Sequence, residues 1–520
     1  MLAKFGIFSE NEWLYPDTEI KEQGEAKLYA ARGSDVCFQV LTDIKLNGDE
    51  ILNVTSSGLE GEVVVYQLFP AHVGRNSAAN FETTDNYEDV KDFVTRKAPF
   101  DVYDVTLLPE DNKLVSGRAG FFIRINVAQN AKVGEYNGNI KLEIGNEEII
   151  VPVYLKIFNT VVPCLNDSEF HSVNWIYYDK IPAQHNVEQW SERYFEILGN
   201  YIDNQLDLRS DVLMIPRGEP IRDENGKVID FDFTSAEQVG NLALKKGMRY
   251  IMGGFCVEWE AWNKPELYLL WDKVDVTTIE AYRQLKLYFT GVKKCIERNN
   301  WQNKYMQCLV DEPQFRTAPS YRALGAICRK FLPDVMINDP VETPEIAGAL
   351  DIWVVKQAIY EKYIEEFRTL QDCGEKLWIY SCGYPAGKMM NHVMDLPISA
   401  SRLIIYMCYK YNTPGFLHFG YHLHNEETWG EACYRASRGR KFPGGNSFIV
   451  YPVNNGPQYS VRGHAQRCGI YDYELLKILG EKSPEKAEEI LDLVCRDFSD
   501  YETDANKLDD ARRQLLERLG

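Results

Sequence analysis

The chain has 520 residues, more than one ordinary core accommodates, which predicts two or three domains. With 45% hydrophobic and 26% charged residues it is globular rather than disordered. A formal net charge of −20 speaks against nucleic acid and anionic membrane surfaces as partners, because both are held by basic patches.

The first ten residues, Met-Leu-Ala-Lys-Phe-Gly-Ile-Phe-Ser-Glu, hold no signal-peptide core, and no run reaches the length of a membrane span. Twelve cysteines are scattered without a C-x-x-C pair, the pattern of free thiols in a reducing cytosol. A cytoplasmic protein is expected. Aromatic residues make up 12%, with 31 Tyr and 10 Trp. Such rings suit stacking on sugars, and a large Tyr-rich core would have the same composition.

Residues 1–162 read as an all-β sandwich. β-rich runs recur at Cys37-Phe-Gln-Val-Leu, Gly61-Glu-Val-Val-Val-Tyr-Gln-Leu, Gly120-Phe-Phe-Ile-Arg-Ile-Asn-Val and Ile149-Ile-Val-Pro-Val-Tyr-Leu-Lys-Ile, with turn clusters between them. From 163 to 480 apolar strands alternate with longer amphipathic segments, as in a (β/α)8 barrel. The strands are expected at 170–175, 206–215, 248–253, 305–310, 334–338, 352–355, 377–382 and 415–420. Ahead of the fourth, Tyr282, Leu285, Phe289, Val292 and Ile296 recur at spacings of three and four, which makes one apolar helix face. Residues 481–520 read as a short helical flank, opened by Ser483-Pro484 as an N-cap and first-turn proline.

The fourth strand ends in Asp311-Glu312-Pro313. The C-terminal rim of the strands is where such a barrel builds its active site. Neighbouring residues on one strand point to opposite faces, so two adjacent carboxylates do not readily flank a scissile bond as acid and nucleophile. They suit a different division of labour. One protonates the glycosidic oxygen while the other holds a 2-acetamido group, whose oxygen attacks the anomeric carbon. The bland alternative is a helix cap with a solvated neighbour.

Four further stretches join this pair: Ala131-Lys-Val-Gly-Glu-Tyr-Asn-Gly, Gly415-Phe-Leu-His-Phe-Gly-Tyr, Gly456-Pro-Gln-Tyr-Ser-Val-Arg and Arg467-Cys-Gly-Ile-Tyr-Asp-Tyr-Glu-Leu-Leu. With them the chain resembles glycoside hydrolase family 123, the β-N-acetylgalactosaminidases, over nearly its whole length. The resemblance implies a retaining exo-glycosidase acting on glycans with terminal β-linked N-acetylgalactosamine. It makes Glu312 the acid/base and Asp311 the group that orients the acetamide. Phe419 and His424 stand where the family often has Trp, which bears on the choice of sugar.

Rim residues expected to contact sugar are His171, Trp175, Trp259, Trp262, Asn338, Asp339, Tyr380, Tyr384, Tyr421 and His424. His418, His422 and His424 share a face in an extended strand, yet the first and last would lie about 20 Å apart. No metal or other cofactor is expected. Arg462, Arg467, Asp472 and Glu474 read as a structural ion-pair set. A homodimer is compatible with the sequence. Two other functions stay open here. One is a retaining glycosidase for sugars without an acetamide, with a nucleophile such as Asp339. The other is a catalytically silent carbohydrate-binding protein.

Overall fold

A strand with apolar residues on both faces must be covered on both faces, and strand Ser34–Leu46 shows how. Val36, Phe38 and Val40 face one core, and Cys37 and Leu41 face another. The computed structural model describes residues 3–20, 24–80, 82–261, 264–424, 434–435 and 441–520. Two compact units divide the chain. One comprises Met1–Phe170, Gly383–Tyr411 and Gly420–Gly520, the other His171–Cys382 and Asn412–Phe419.

The first unit holds a seven-stranded antiparallel sheet in the order Phe5–Ser9, Ser34–Leu46, Gly117–Val127, Glu62–Val73, Phe100–Leu107, Gly456–Ser460 and Val450–Val453. A four-stranded sheet of Ala26–Arg32, Glu147–Val161, Gly134–Ile144 and Leu52–Ser57 faces it. Phe38, Phe121, Ile123 and Ile125 pack against Ile140, Leu142, Val151 and Val153, the alternating inner faces of a sandwich. On the outer face of the larger sheet, Tyr66, Leu68, Val105 and Phe122 meet Val461, Ala465 and Cys468 of the helix Val461–Lys482.

The N-terminal sandwich is therefore completed from the far end of the chain. Hairpin Val450–Ser460 adds two strands, with Tyr459 opposite Thr106 and Ser460 opposite Val105. The sequence reading assigns the chain from 163 to 480 to one barrel domain. In the compact units 383–411 and 420–480 group with the sandwich, on which hairpin Val450–Ser460 and helix Val461–Lys482 pack.

Arg462 ends the Gly456–Arg462 motif and is fully buried. It donates to Asp104 Oδ2 at 2.7 Å and to the carbonyls of His392, Gly445 and Phe448. Asp472 takes Arg402 and Arg512 (3.0 Å from Oδ1), and Asp35 takes Arg467 at 3.2 Å. Of the four residues expected as an ion-pair set, Arg462, Arg467 and Asp472 pair with charges outside the set, and Glu474 accepts from the Ser168 hydroxyl. The C-terminal helices run Pro484–Val494 and Ala505–Leu519. Ser483 stands at the N-cap position, but its hydroxyl accepts no capping hydrogen bond.

The second unit is a closed parallel barrel of eight strands in chain order: β1 (His171–Asn174), β2 (Val212–Ile215), β3 (Tyr250–Gly253), β4 (Tyr305–Gln307), β5 (Met336–Val341), β6 (Ile352–Lys356), β7 (Lys376–Ser381) and β8 (Gly415–His418). β8 pairs with β1 and closes it. Val173, Val212, Met252, Met306, Ile352, Val354, Trp378 and Leu417 fill the interior. Gly415 admits the Trp378 ring, which a Cβ there would meet at 2.4 Å. Helix Ile279–Asn299 buries Leu285, Phe289, Val292 and Ile296 on its expected face. Thr278 caps its first turn by accepting from the Ala281 N–H, and Asn300 ends it in the left-handed conformation. No helix among the described residues is long and apolar enough to cross a membrane.

Candidate active site

Strand alternation decides which side chains reach the mouth of the barrel. Ile352 and Val354 face inward on β6, so Lys356 at its C-terminal end does too. Trp378 and Tyr380 face inward on β7, and Cys382 follows on the same face. After β4 the chain runs on to Asp311 and Glu312. Glu312 takes a left-handed backbone conformation, with φ of +48°. A non-glycine residue there carries strain on the order of 1–3 kcal/mol, of the kind that gathers at functional sites. The turn breaks the alternation that would otherwise set the neighbouring carboxylates on opposite faces. Pro313 follows and prevents the strand from continuing.

Three groups hold the Glu312 carboxyl. Tyr380 donates its hydroxyl to Oε1 at 2.5 Å, Lys356 Nζ lies 2.9 Å from the same oxygen, and Cys382 Sγ is 3.9 Å away. Lys356 also contacts Glu342, which follows β5. Trp259 donates its indole N–H to the Asp311 carbonyl at 3.0 Å and so fixes the pair's backbone. Burial first, and then the negative charge of Glu312, push the Asp311 carboxyl up to about 8. The Lys356 cation pulls part of the way back. Asp311 is therefore biased towards its protonated form.

Trp175 lies just beyond the C-terminal end of β1, packed against Phe255, and its buried indole N–H has no partner among the described residues. Asn338 shares the inward face of Met336 on β5, and neither end of its buried side-chain amide has a partner there. An unpaired buried amide costs about 1–3 kcal/mol per group, so both side chains offer hydrogen bonds to a bound molecule.

Several expected contacts are placed differently. His171 opens β1 and so sits at the N-terminal end of the barrel, opposite the rim. There it bonds Asp211 Oδ2 at 2.8 Å and packs against Trp378 and Tyr250. Asp339 points outward from β5, one residue out of phase with Asn338. It is fully buried, accepting from the Leu309 N–H at 2.8 Å and the Tyr321 hydroxyl at 2.7 Å. Burial raises its proton affinity well above the ordinary range, and it anchors the chain ahead of Asp311 rather than meeting a sugar.

Tyr384, Tyr421 and His424 belong to the sandwich unit. Tyr384 is exposed, while Tyr421 is fully buried. His424 lies in that unit's core, stacked 4.0 Å from Phe448, with Nε2 2.7 Å from the Val450 carbonyl. Burial lowers its pKa to about 4, so it is uncharged at neutral pH. Trp262 lies outside the described residues. Among the described residues, Glu10, Cys37 and Cys468 are the one set whose donor atoms could share a metal ion; none of the three histidines belongs to it.

Sequence reasoning missed Lys356, Glu342 and Cys382. The signal was present, since each follows or ends a buried strand at its C-terminal side. A lysine closing the run Ile-Trp-Val-Val-Lys is a polar group delivered to the barrel mouth.

A closed eight-stranded barrel with a half-buried carboxyl pair after β4, flanked by a cation, a phenol and an indole, is the frame of a glycoside hydrolase. Residues 175–479 match the family described as "Glycoside hydrolase 123, catalytic domain", and the chain belongs to that family. No curated protein matches the chain. Among solved structures, a family 123 glycoside hydrolase from Clostridium perfringens, studied for glycolipid glycan hydrolysis, aligns with a TM-score of 0.72 at 14% identity. The alignment covers 100% of this chain and 97% of that one. A termite-gut GH10 xylanase aligns far more loosely, with a TM-score of 0.36 at 10% identity over 87% of this chain and 100% of that one.

Proposed function

We propose that the chain is a retaining exo-glycosidase that releases terminal β-linked N-acetylgalactosamine, with the substrate's own 2-acetamido group as nucleophile. The observation that carries this reading is the adjacent pair Asp311 and Glu312 at the barrel mouth, turned by the left-handed Glu312. Two neighbouring carboxyls act together on one sugar rather than from opposite sides of its ring.

In the proposed cycle Glu312 carries the working proton and Asp311 is the anion. The acetamide oxygen attacks the anomeric carbon while the glycosidic bond breaks, and the Glu312 proton goes to the leaving oxygen. Asp311 accepts the acetamide N–H and faces the positive oxazolinium-like ring. Glu312 then takes a proton from water, whose oxygen bonds to the anomeric carbon and reopens the ring. Before the glycosidic bond breaks, the proton favoured on Asp311 passes to Glu312, so that Glu312 is the donor and Asp311 the anion when the positive ring forms. Trp175 and Asn338, with their unpaired buried polar groups, are the proposed sugar contacts.

The Clostridium perfringens neighbour supports glycolipid-type glycans as the substrate class. The free thiols of the described cysteines support a cytoplasmic setting. The test is a panel of nitrophenyl and alkyl β-glycosides with and without the 2-acetamido group, with Glu312→Gln alongside the wild type. Wild-type activity is expected only on acetamido sugars, with strong inhibition by a thiazoline analogue of the cyclised intermediate. Glu312→Gln should lose about 10²–10⁴-fold on alkyl leaving groups and far less on nitrophenyl. Trapping of a covalent adduct by a 2-deoxy-2-fluoro glycoside on another carboxylate, with no thiazoline inhibition, would refute it.

A further inference from the structure

The chemistry above leaves one buried cation without a task. Lys356 is 3% exposed, and charged side chains are seldom buried so far unless paired. Its ammonium lies 2.9 Å from Glu312 Oε1, also contacts the Glu342 carboxylate, and sits 5.6 Å from the centre of the Tyr380 ring. Glu342 is itself tied to the loop of the pair, its backbone N–H donating to the Pro313 carbonyl at 3.1 Å. Among the described residues, the groups that face Lys356 include Glu312 and Asp311 from the loop after β4, Glu342 after β5, Tyr380 from β7 and Cys382 just after it.

A cation against a carboxyl favours its anion. That opposes an acid that must arrive protonated. Glu342 supplies the counterweight, because an ammonium shared with a second carboxylate pulls less on the first. Geometry and charge therefore work together. The ammonium holds the Glu312 oxygen in one place, and Glu342 limits the electrostatic consequence of doing so.

We propose that Lys356 and Glu342 are positioning residues for Glu312, fixing its carboxyl and together setting the pH range over which it can donate a proton. The inference rests on the reading of Glu312 as the acid/base. It makes two variants move the enzyme in opposite directions. In Lys356→Met, Glu312 faces Asp311 and Glu342 with no cation, and its proton persists to higher pH. In Glu342→Gln, the whole charge of Lys356 falls on Glu312, and its proton is lost at lower pH.

The experiment is the pH dependence of kcat/KM on an alkyl 2-acetamido-2-deoxy-β-galactoside, whose leaving group needs protonation. Wild type, Lys356→Met, Lys356→Arg and Glu342→Gln are compared, each with a thermal melt. The basic limb is expected to move up by about one pH unit in Lys356→Met and down by about one unit in Glu342→Gln, with Lys356→Arg near the wild type. A purely structural role would lower the rates without moving the limb. Limbs that stay in place, or move in the same direction, overturn the inference. If Lys356→Met does not melt cooperatively, Glu342→Gln, which keeps its shape, decides alone: a downward shift supports the inference and an unmoved limb overturns it. A wild type without activity on any acetamido glycoside removes the proposed function and this inference with it. A wild type with a bell-shaped profile and unshifted variants removes this inference only.

Discussion

Replacing Asp311 by Asn should stabilise the protein, and by more as pH rises. The folded carboxyl is pushed up from 3.8 to about 8, chiefly by burial and then by Glu312. A group whose folded pKa lies above its unfolded value contributes stability fully below the unfolded pKa and loses it as pH rises through the folded one. The loss therefore runs from about pH 4 to about pH 8. Each unit in that window costs about 1.4 kcal/mol, which sets a ceiling near 6 kcal/mol. Lys356 offsets part of the repulsion, so a gain of about 2–3 kcal/mol by pH 8 is expected from the amide. The assay is calorimetric melting of wild type and Asp311→Asn at half-unit steps from pH 4 to 8.5. The two should coincide near pH 4 and separate steadily above it, the variant melting higher while its turnover collapses. A gap that does not change with pH, or a variant that melts lower at pH 8, would refute the picture of an enclosed, proton-holding Asp311.

Tyr380→Phe removes the hydroxyl that donates to Glu312 Oε1 at 2.5 Å. A hydrogen bond to a charged group is worth about 1.5–3 kcal/mol, so kcat/KM should fall about 10–100-fold with little change in melting; an unchanged kcat/KM would remove the tyrosine from the mechanism. Arg462→Met strands Asp104 in the core of the sandwich unit. A loss of about 3–5 kcal/mol is expected in denaturant or thermal unfolding, with part recovered on adding Asp104→Asn; a near-wild-type melt would show that the pair is dispensable.

The amino-acid sequence indicated eight barrel strands in order and a carboxyl pair past the fourth, while some bounds shifted: the run expected at 206–215 begins in helix Glu192–Asp207 and is strand only over Val212–Ile215. Strands buried on both faces must be short apolar runs, and eight such runs appear in chain order with Asp311 and Glu312 just past the fourth. It determined the apolar face of helix Ile279–Asn299 for the same reason, since a 3.6-residue period is local. Tertiary structure alone decided which face of each strand looks inward. When both faces are apolar the two-residue period carries no sign, and so Asn338 reaches the barrel interior while Asp339 is turned away into Tyr321. Only the folded chain separated the two ends of the barrel, placing His171 at one and Lys356 and Tyr380 at the other. Only pairing between distant segments could bring strand Gly456–Ser460 beside Phe100–Leu107, more than 300 residues earlier in the chain. A strand's edge is satisfied by whichever backbone the topology delivers, and no local pattern records that partner.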